Sequence, residues 1–269
     1  MPQSFPNVST APMKAPIFII GYPRSGTSFV GKLIAKFTGY PSHGEAHTLT
    51  LLQELHHQVN LYRRRTDFTG KELVKQLDLD RLKDINTEFF RNFYLSTYGS
   101  AMFIDKTPGA VACHGWSVVK QVFPDAVFIA CVRSPVEVFE SASLKFGGRP
   151  GTTLNTDPIE VAKGWVAAMQ GIENLQSSSF STDLHVVSQL QLRSDPSVSV
   201  TALFSFLGLS DSQISDGVAL CNLSRDDVLT ASIEERTYKR LASLLLPSSQ
   251  AEQFSDVCAA TCNRWGICL

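Results

Sequence analysis

The chain carries almost no net charge, with 24 lysines and arginines against 25 aspartates and glutamates in 269 residues. No global field gathers nucleic acid or anionic membrane, so an anionic ligand has to meet a local cluster of cations. Long hydrophobic runs are also missing. Ile17–Ile20 and Ala126–Val132 fall far short of the ~20 apolar residues that a membrane span needs. Residues 1–15 (MPQSFPNVSTAPMKA) are polar and Pro-rich, with no basic stretch leading into an apolar one. They read as a flexible N-terminal tail without a secretory signal. A cytoplasmic, reducing setting is expected, and with it free thiols at all six cysteines. Cys258, Cys262 and Cys268 lie near one another in sequence, but no fourth ligand stands at metal spacing. Helix-packing thiols are the expectation there, and no metal.

Apolar residues make up 43% of the sequence, enough for one sizeable core over residues 16–269. Short β-branched runs alternate with helical periods, which predicts parallel βαβ units and an α/β fold. Strands are expected at Pro16–Ile20, Ala101–Ile104, Ala126–Val132 and Leu184–Val187. AVFIACV is apolar on both faces, as a central parallel strand must be. Helices are expected after the first strand, with Phe29, Leu33, Ile34 and Phe37 on one face, and over 46–62, 197–207 and 233–246. Ser232 and Glu235 form a capping box for the last of these. The stretch 147–157 (GGRPGTTLNTD) reads as a mobile loop. Ligands of open parallel sheets sit past the carboxyl ends of the strands, here after Ile20, Ile104 and Val132.

After the first strand comes Gly21-Tyr22-Pro23-Arg24-Ser25-Gly26-Thr27-Ser28. A glycine turn feeding a helix start presents free N–H groups and a positive dipole end, an anion cradle. Thr27 and Ser28 add hydroxyls, and Arg24 can fork onto anionic oxygens. Nucleotide-hydrolysing loops read G-x-x-x-x-G-K-[ST]. Here Gly21 and Gly26 have that spacing, but Thr27 stands in place of the lysine. A metal-dependent kinase is thereby disfavoured, with Asp105 its one candidate Mg²⁺ ligand. Past the next buried strand come Arg133, then Pro135, suited to a first helical turn, then Ser141 and Lys145 one turn apart. An arginine facing a hydroxyl and an ammonium suits a phosphate monoester.

PIFIIGYPRSGTSFV resembles the 5′-phosphosulfate loop of sulfotransferases that use 3′-phosphoadenosine-5′-phosphosulfate (PAPS). R-x-P-x-x-x-x-x-S resembles their 3′-phosphate site, and Asp195-Pro196 with Phe206-Leu207-Gly208 extends the likeness. The resemblance implies a single-domain, three-layer P-loop-like fold with a central parallel sheet flanked by helices. It implies cofactor contacts from Pro23, Arg24, Ser25, Gly26, Thr27, Ser28, Arg133, Ser141 and Lys145. PAPS would be the co-substrate and 3′-phosphoadenosine 5′-phosphate (PAP) the product, with no metal required. Ser224 and Arg225, in a segment similar to L-S-K, are candidates to close over the cofactor. Many relatives carry an adenosine-contacting tyrosine where this chain has Gln189.

The general base departs from the small-molecule branch, whose K-[TS]-H histidine is replaced here by Pro108 after Lys106-Thr107. Ser42-His43-Gly44-Glu45 instead resembles the G-E segment of the tyrosylprotein sulfotransferases. That likeness implies Glu45 as base, with Arg24 and Lys106 stabilising the transferred group. His43 and His47 are rival bases, and Glu45 could instead serve only the dipole of a helix opening at Ala46. The expected acceptor is the hydroxyl or amine of a small-molecule metabolite or natural product, with peptide tyrosine as the alternative. A silent PAPS-binding scaffold would keep cofactor binding without turnover. Neither nucleic acid nor membrane is an expected partner.

Overall fold

The computed structural model describes residues 15–45, 47–64, 79–146, 157–223 and 246–267. Four strands, β1 (Ile17–Gly21), β2 (Ile104–Lys106), β3 (Val127–Val132) and β4 (Leu184–Ser188), pair in parallel in the order β2-β1-β3-β4. Around them, in chain order, lie α1 (Thr27–Thr38), α2 (Thr48–Arg63), α3 (Leu79–Tyr98), α4 (Ala110–His114), α5 (Trp116–Val122) and α6 (Pro135–Phe146). They are followed by α7 (Pro158–Gln176), α8 (Gln189–Ser194), α9 (Pro196–Phe206), α10 (Asp211–Leu223) and α11 (Ser248–Trp265).

Strand alternation builds the layers. Phe18, Ile20, Phe128 and Ala130 point to one face, where Phe90 and Tyr94 of α3, Trp165 and Ile172 of α7, and Phe254 of α11 cover them. Ile17, Ile19, Val127 and Ile129 point to the other, against Val30 and Ile34 of α1 and Val200 and Phe204 of α9. This is the expected three-layer α/β arrangement with a central parallel sheet.

The strands start and stop within a residue or two of expectation, except β2. Its run was expected over Ala101–Ile104, yet the paired residues are Ile104–Lys106. Asp105 and Lys106 are polar, so the pattern stops before them, but tertiary partners bury both. Helix α3 was not foreseen. Phe90, Tyr94 and Tyr98 form its buried stripe, while Ile85, Phe89 and Phe93 form an exposed one, and two apolar stripes blur a 3.6 period. The expected helix over 233–246 lies outside the described residues, apart from Leu246, as does the expected loop apart from Asp157. Asp157 itself caps α7, accepting from the N–H groups of Ile159 and Glu160.

Adjacent β1 and β3 send their following helices to opposite faces, α1 to one and α6 to the other. That reversal opens a crevice at their carboxyl ends, where a ligand of such a sheet binds.

Candidate active site

The loop after β1 is fixed at both ends by backbone geometry. Gly21 closes the strand at φ 150°, and a Cβ there would stand 2.5 Å from the carbonyl oxygen of Cys131 on β3. Gly26 is the N-cap of α1 at φ 91° and has no side-chain cap. Its left-handed backbone turns the chain so that the first N–H groups of α1 lack helical acceptors. Arg24 adopts φ 73°, an uncommon left-handed conformation outside glycine. The Tyr22 carbonyl accepts from Ser25 N–H at 3.1 Å, closing the turn. Ser25 and Thr27 are buried, Pro23 and Arg24 are half-buried, and Ser28 is exposed. Uncapped N–H groups, a strained arginine and hydroxyls in one turn fit an anionic phosphosulfate.

On the β3 side, Arg133 braces this loop. Its Nη1 donates to the Arg24 carbonyl at 3.1 Å, and its Nε donates to Glu137 Oε2 at 2.9 Å. Arg193 from α8 donates to the other oxygen of Glu137. Burial tends to raise the Glu137 carboxyl, but hydrogen bonds and charge from Arg193 and Arg133 outweigh it and hold the group below its usual range. The indole N–H of Trp165 donates to the Arg133 carbonyl at 3.0 Å. Arg24 Nε donates to the buried Ser141 Oγ at 3.1 Å. The structure thus brings Arg24, Arg133 and Ser141 together, while Lys145 lies one turn further along α6 and is exposed.

On the β2 side, the return of Glu45 has a structural cause. Ile104 N–H donates to the Pro41 carbonyl at 2.9 Å, and Ser42 forms a parallel bridge to Ile104. The segment after α1 therefore runs along the outer edge of β2 and delivers Glu45 to its carboxyl end. Lys106, paired with Ile19 on β1, donates from Nζ to Ser28 Oγ at 3.0 Å and to Glu45 Oε1 at 3.4 Å. It is 8% exposed, whereas the Glu45 side chain is 48% exposed. His47, at φ 50°, places Nε2 3.4 Å from Glu45 Oε2. His43 turns away, its ring 4.8 Å from that of Tyr98 and its Nε2 3.4 Å from the Thr97 carbonyl. Helix α2 begins at Thr48, so Glu45 lies before its first turn, and its carboxylate faces Lys106.

Asp105 points the other way from Lys106, as neighbours on a strand do. It is 1% exposed and accepts from Tyr94 Oη at 2.6 Å and from Thr107 Oγ1 at 2.7 Å. Burial pushes its carboxyl up, partly countered by those two hydroxyls. A carboxylate sealed and satisfied in this way is a core fixture, which removes the one Mg²⁺ ligand the kinase reading had. Five cysteines, Cys113, Cys131, Cys221, Cys258 and Cys262, are free and buried, and burial raises Cys258 to about 12. Cys268, Ser224 and Arg225 lie outside the described residues. No metal-binding cluster and no helix long and apolar enough to cross a membrane occur among the described residues.

Sequence reasoning missed Glu137 and Arg193. The i,i+4 spacing of Arg133 and Glu137 was a usable signal, but Arg193 reaches them only through tertiary contact.

The profile of the sulfotransferase family matches residues 16–213. A search of curated proteins finds no match. Among solved structures, the sulfotransferase domain of the Synechococcus PCC 7002 olefin synthase is similar at 19% identity and a TM-score of 0.51, over 90% of this chain and 99% of that one. Sulfotransferase STF9 from Mycobacterium avium is similar at 14% identity and a TM-score of 0.53, over 96% and 79%. A mouse sulfotransferase complexed with PAP is similar at 13% identity and a TM-score of 0.52, over 93% and 85%.

Proposed function

We propose, from the premise that this chain belongs to the sulfotransferase family, that it moves a sulfuryl group from PAPS to a hydroxyl or amine with Glu45 as general base. PAPS supplies an activated sulfuryl on a phosphate leaving group. The chain's own residues do the rest. The start of α1 and the hydroxyls of Ser25, Thr27 and Ser28 hold the 5′ end, with Pro23 and Gly26 shaping the turn. Arg133, Ser141 and Lys145 hold the 3′-phosphate. Arg24 and Lys106 set positive charge beside the transferred group, where charge develops as the bond breaks. Glu45 takes the acceptor proton.

The observation that carries this reading is the position of Lys106. Its ammonium joins Ser28 of the loop to Glu45, so base, cation and loop share one end of the sheet. The 48% exposure of the Glu45 side chain leaves it open to an acceptor from solvent. We take the acceptor to be a small molecule, in keeping with the origin of one similarly folded domain in an olefin synthase. A screen with labelled PAPS over phenols, sugars, amines and tyrosine peptides decides it, and turnover only on peptides would reject a small-molecule acceptor. Glu45→Gln is expected to lower kcat by about 10²–10⁴-fold, the range of a positioned base. Its affinity for PAP, measured by calorimetry, should stay near wild type. Full activity in the variant would transfer the role to His47, whose ring is within reach of the same site.

A further inference from the structure

Glycine forms helices poorly, yet Gly164 sits inside the 19-residue α7. The cause lies in the loop after β1. A Cβ placed on Gly164 would stand 2.8 Å from Tyr22 Cε2, 2.9 Å from Tyr22 Oη and 3.2 Å from Tyr22 Cζ. The Tyr22 ring therefore rests on the bare backbone of α7. The next residue of the helix, Trp165, serves the neighbouring strand. It is fully buried, and its indole N–H donates to the Arg133 carbonyl at 3.0 Å. Successive helical residues point about 100° apart, so one turn of α7 touches the segments that follow both β1 and β3.

Trp165 is sealed in the core and Gly164 has no side chain, so each can act on a ligand only through the loop it holds. Both connections are stiff. Tyr22 precedes Pro23, whose ring fixes its own φ and restricts the residue before it. The Tyr22 carbonyl also closes the turn, accepting from Ser25 N–H at 3.1 Å. A displaced Tyr22 ring therefore moves Arg24 and Ser25 with it. On the other side, Trp165 pins the main chain of Arg133, while Glu137 holds its guanidinium at 2.9 Å.

We propose that Gly164 and Trp165 are positioning residues for the two ends of the nucleotide. Gly164 seats Tyr22 and thereby sets the 5′ cradle. Trp165 pins Arg133 and thereby sets the 3′-phosphate site. The inference rests on the reading of these two loops as the PAPS site.

The test uses the full chain with Gly164→Ala, Trp165→Phe, Tyr22→Leu, and Tyr22→Leu combined with Gly164→Ala. Three probes are titrated by calorimetry below each variant's melting temperature: PAP, adenosine 5′-phosphate and adenosine 3′-phosphate. Gly164→Ala should bind PAP and adenosine 5′-phosphate about tenfold more weakly, the effect of misplacing one hydrogen bond to a charged group. Its affinity for adenosine 3′-phosphate should not change. Trp165→Phe should show the converse, a similar loss for PAP and adenosine 3′-phosphate with adenosine 5′-phosphate spared. Where Tyr22 is already leucine, Gly164→Ala should have no further effect, because the three atoms it would meet are gone. A general loosening of the helix would weaken all three probes alike, and that result in both variants overturns the proposal. So does unchanged PAP binding in both, or full additivity of Tyr22→Leu and Gly164→Ala. If Trp165→Phe does not fold, the probe ratio of Gly164→Ala and its cancellation by Tyr22→Leu decide. Wild-type protein that fails to bind PAP removes the parent reading along with this one.

Discussion

Asp105 and Lys106 are adjacent in sequence and opposite in fate. Lys106 reaches the ligand end of the sheet, while Asp105 turns into a cage of Tyr94 and Thr107 under the aromatic stack of Tyr94, Tyr98 and Phe103. Burial raises the Asp105 carboxyl, so its folded value lies above the ordinary 3.8. A raised acid is easier to hold protonated in the fold. Its contribution to stability therefore declines as pH rises from the unfolded value through the folded one. Tyr94→Phe removes the shorter of its two hydrogen bonds and should cost about 1–3 kcal/mol in urea melts at neutral pH. The loss should shrink in acid, where the carboxyl is neutral. A loss independent of pH would mean that the Tyr94 hydroxyl gains nothing from the charge on Asp105. Before the fold is known, nothing in Ile104-Asp105-Lys106-Thr107-Pro108 separates these two polar residues, because the direction of each depends on the register with β1.

At the scale of elements, α6 and α8 are tied across the end of β3 by Arg133, Glu137 and Arg193. The Glu137 carboxyl is held below its ordinary 4.5 despite burial, by the hydrogen bonds and charges of the two arginines. This stabilisation is fully present above 4.5 and is lost as pH falls through the depressed folded value. Glu137→Gln should therefore lower stability at neutral pH and flatten the acid side of the stability profile, as read by chemical denaturation from pH 3 to 7 (about the range that spans an acidic carboxyl's titration). An acid limb as steep as in wild type would show that this bridge contributes nothing to it. The same elements show why the path of Glu45 is hidden in the sequence. A short helix followed by a return loop can lead to either edge of a sheet. The hydrogen bond from Ile104 to Pro41 and the Ser42 bridge select the outer side of β2.

Over the whole molecule, the crevice between β1 and β3 draws on both faces of the sheet and on all four strand ends. A ligand that fits it should stabilise the fold as a unit, by about 2.7 kcal/mol at a hundredfold excess over its Kd. PAP should raise the melting temperature without added Mg²⁺, and ATP with Mg²⁺ should do so much less. The reverse order would restore the nucleotide kinase reading.

The sequence by itself determined the layers and the cradle. Alternating β-branched runs specify strands buried on two faces, and Gly21 and Gly26 specify a turn that only glycine's backbone makes easily. Those are local properties, set by steric limits within a few residues. Tertiary structure alone decided which cation meets which acid. Lys106 came to Glu45, Arg24 to Ser141, and Gln189 to Gly26. Each pair is far apart along the chain, and strand order and register, settled by packing both apolar faces at once, bring its members within contact distance.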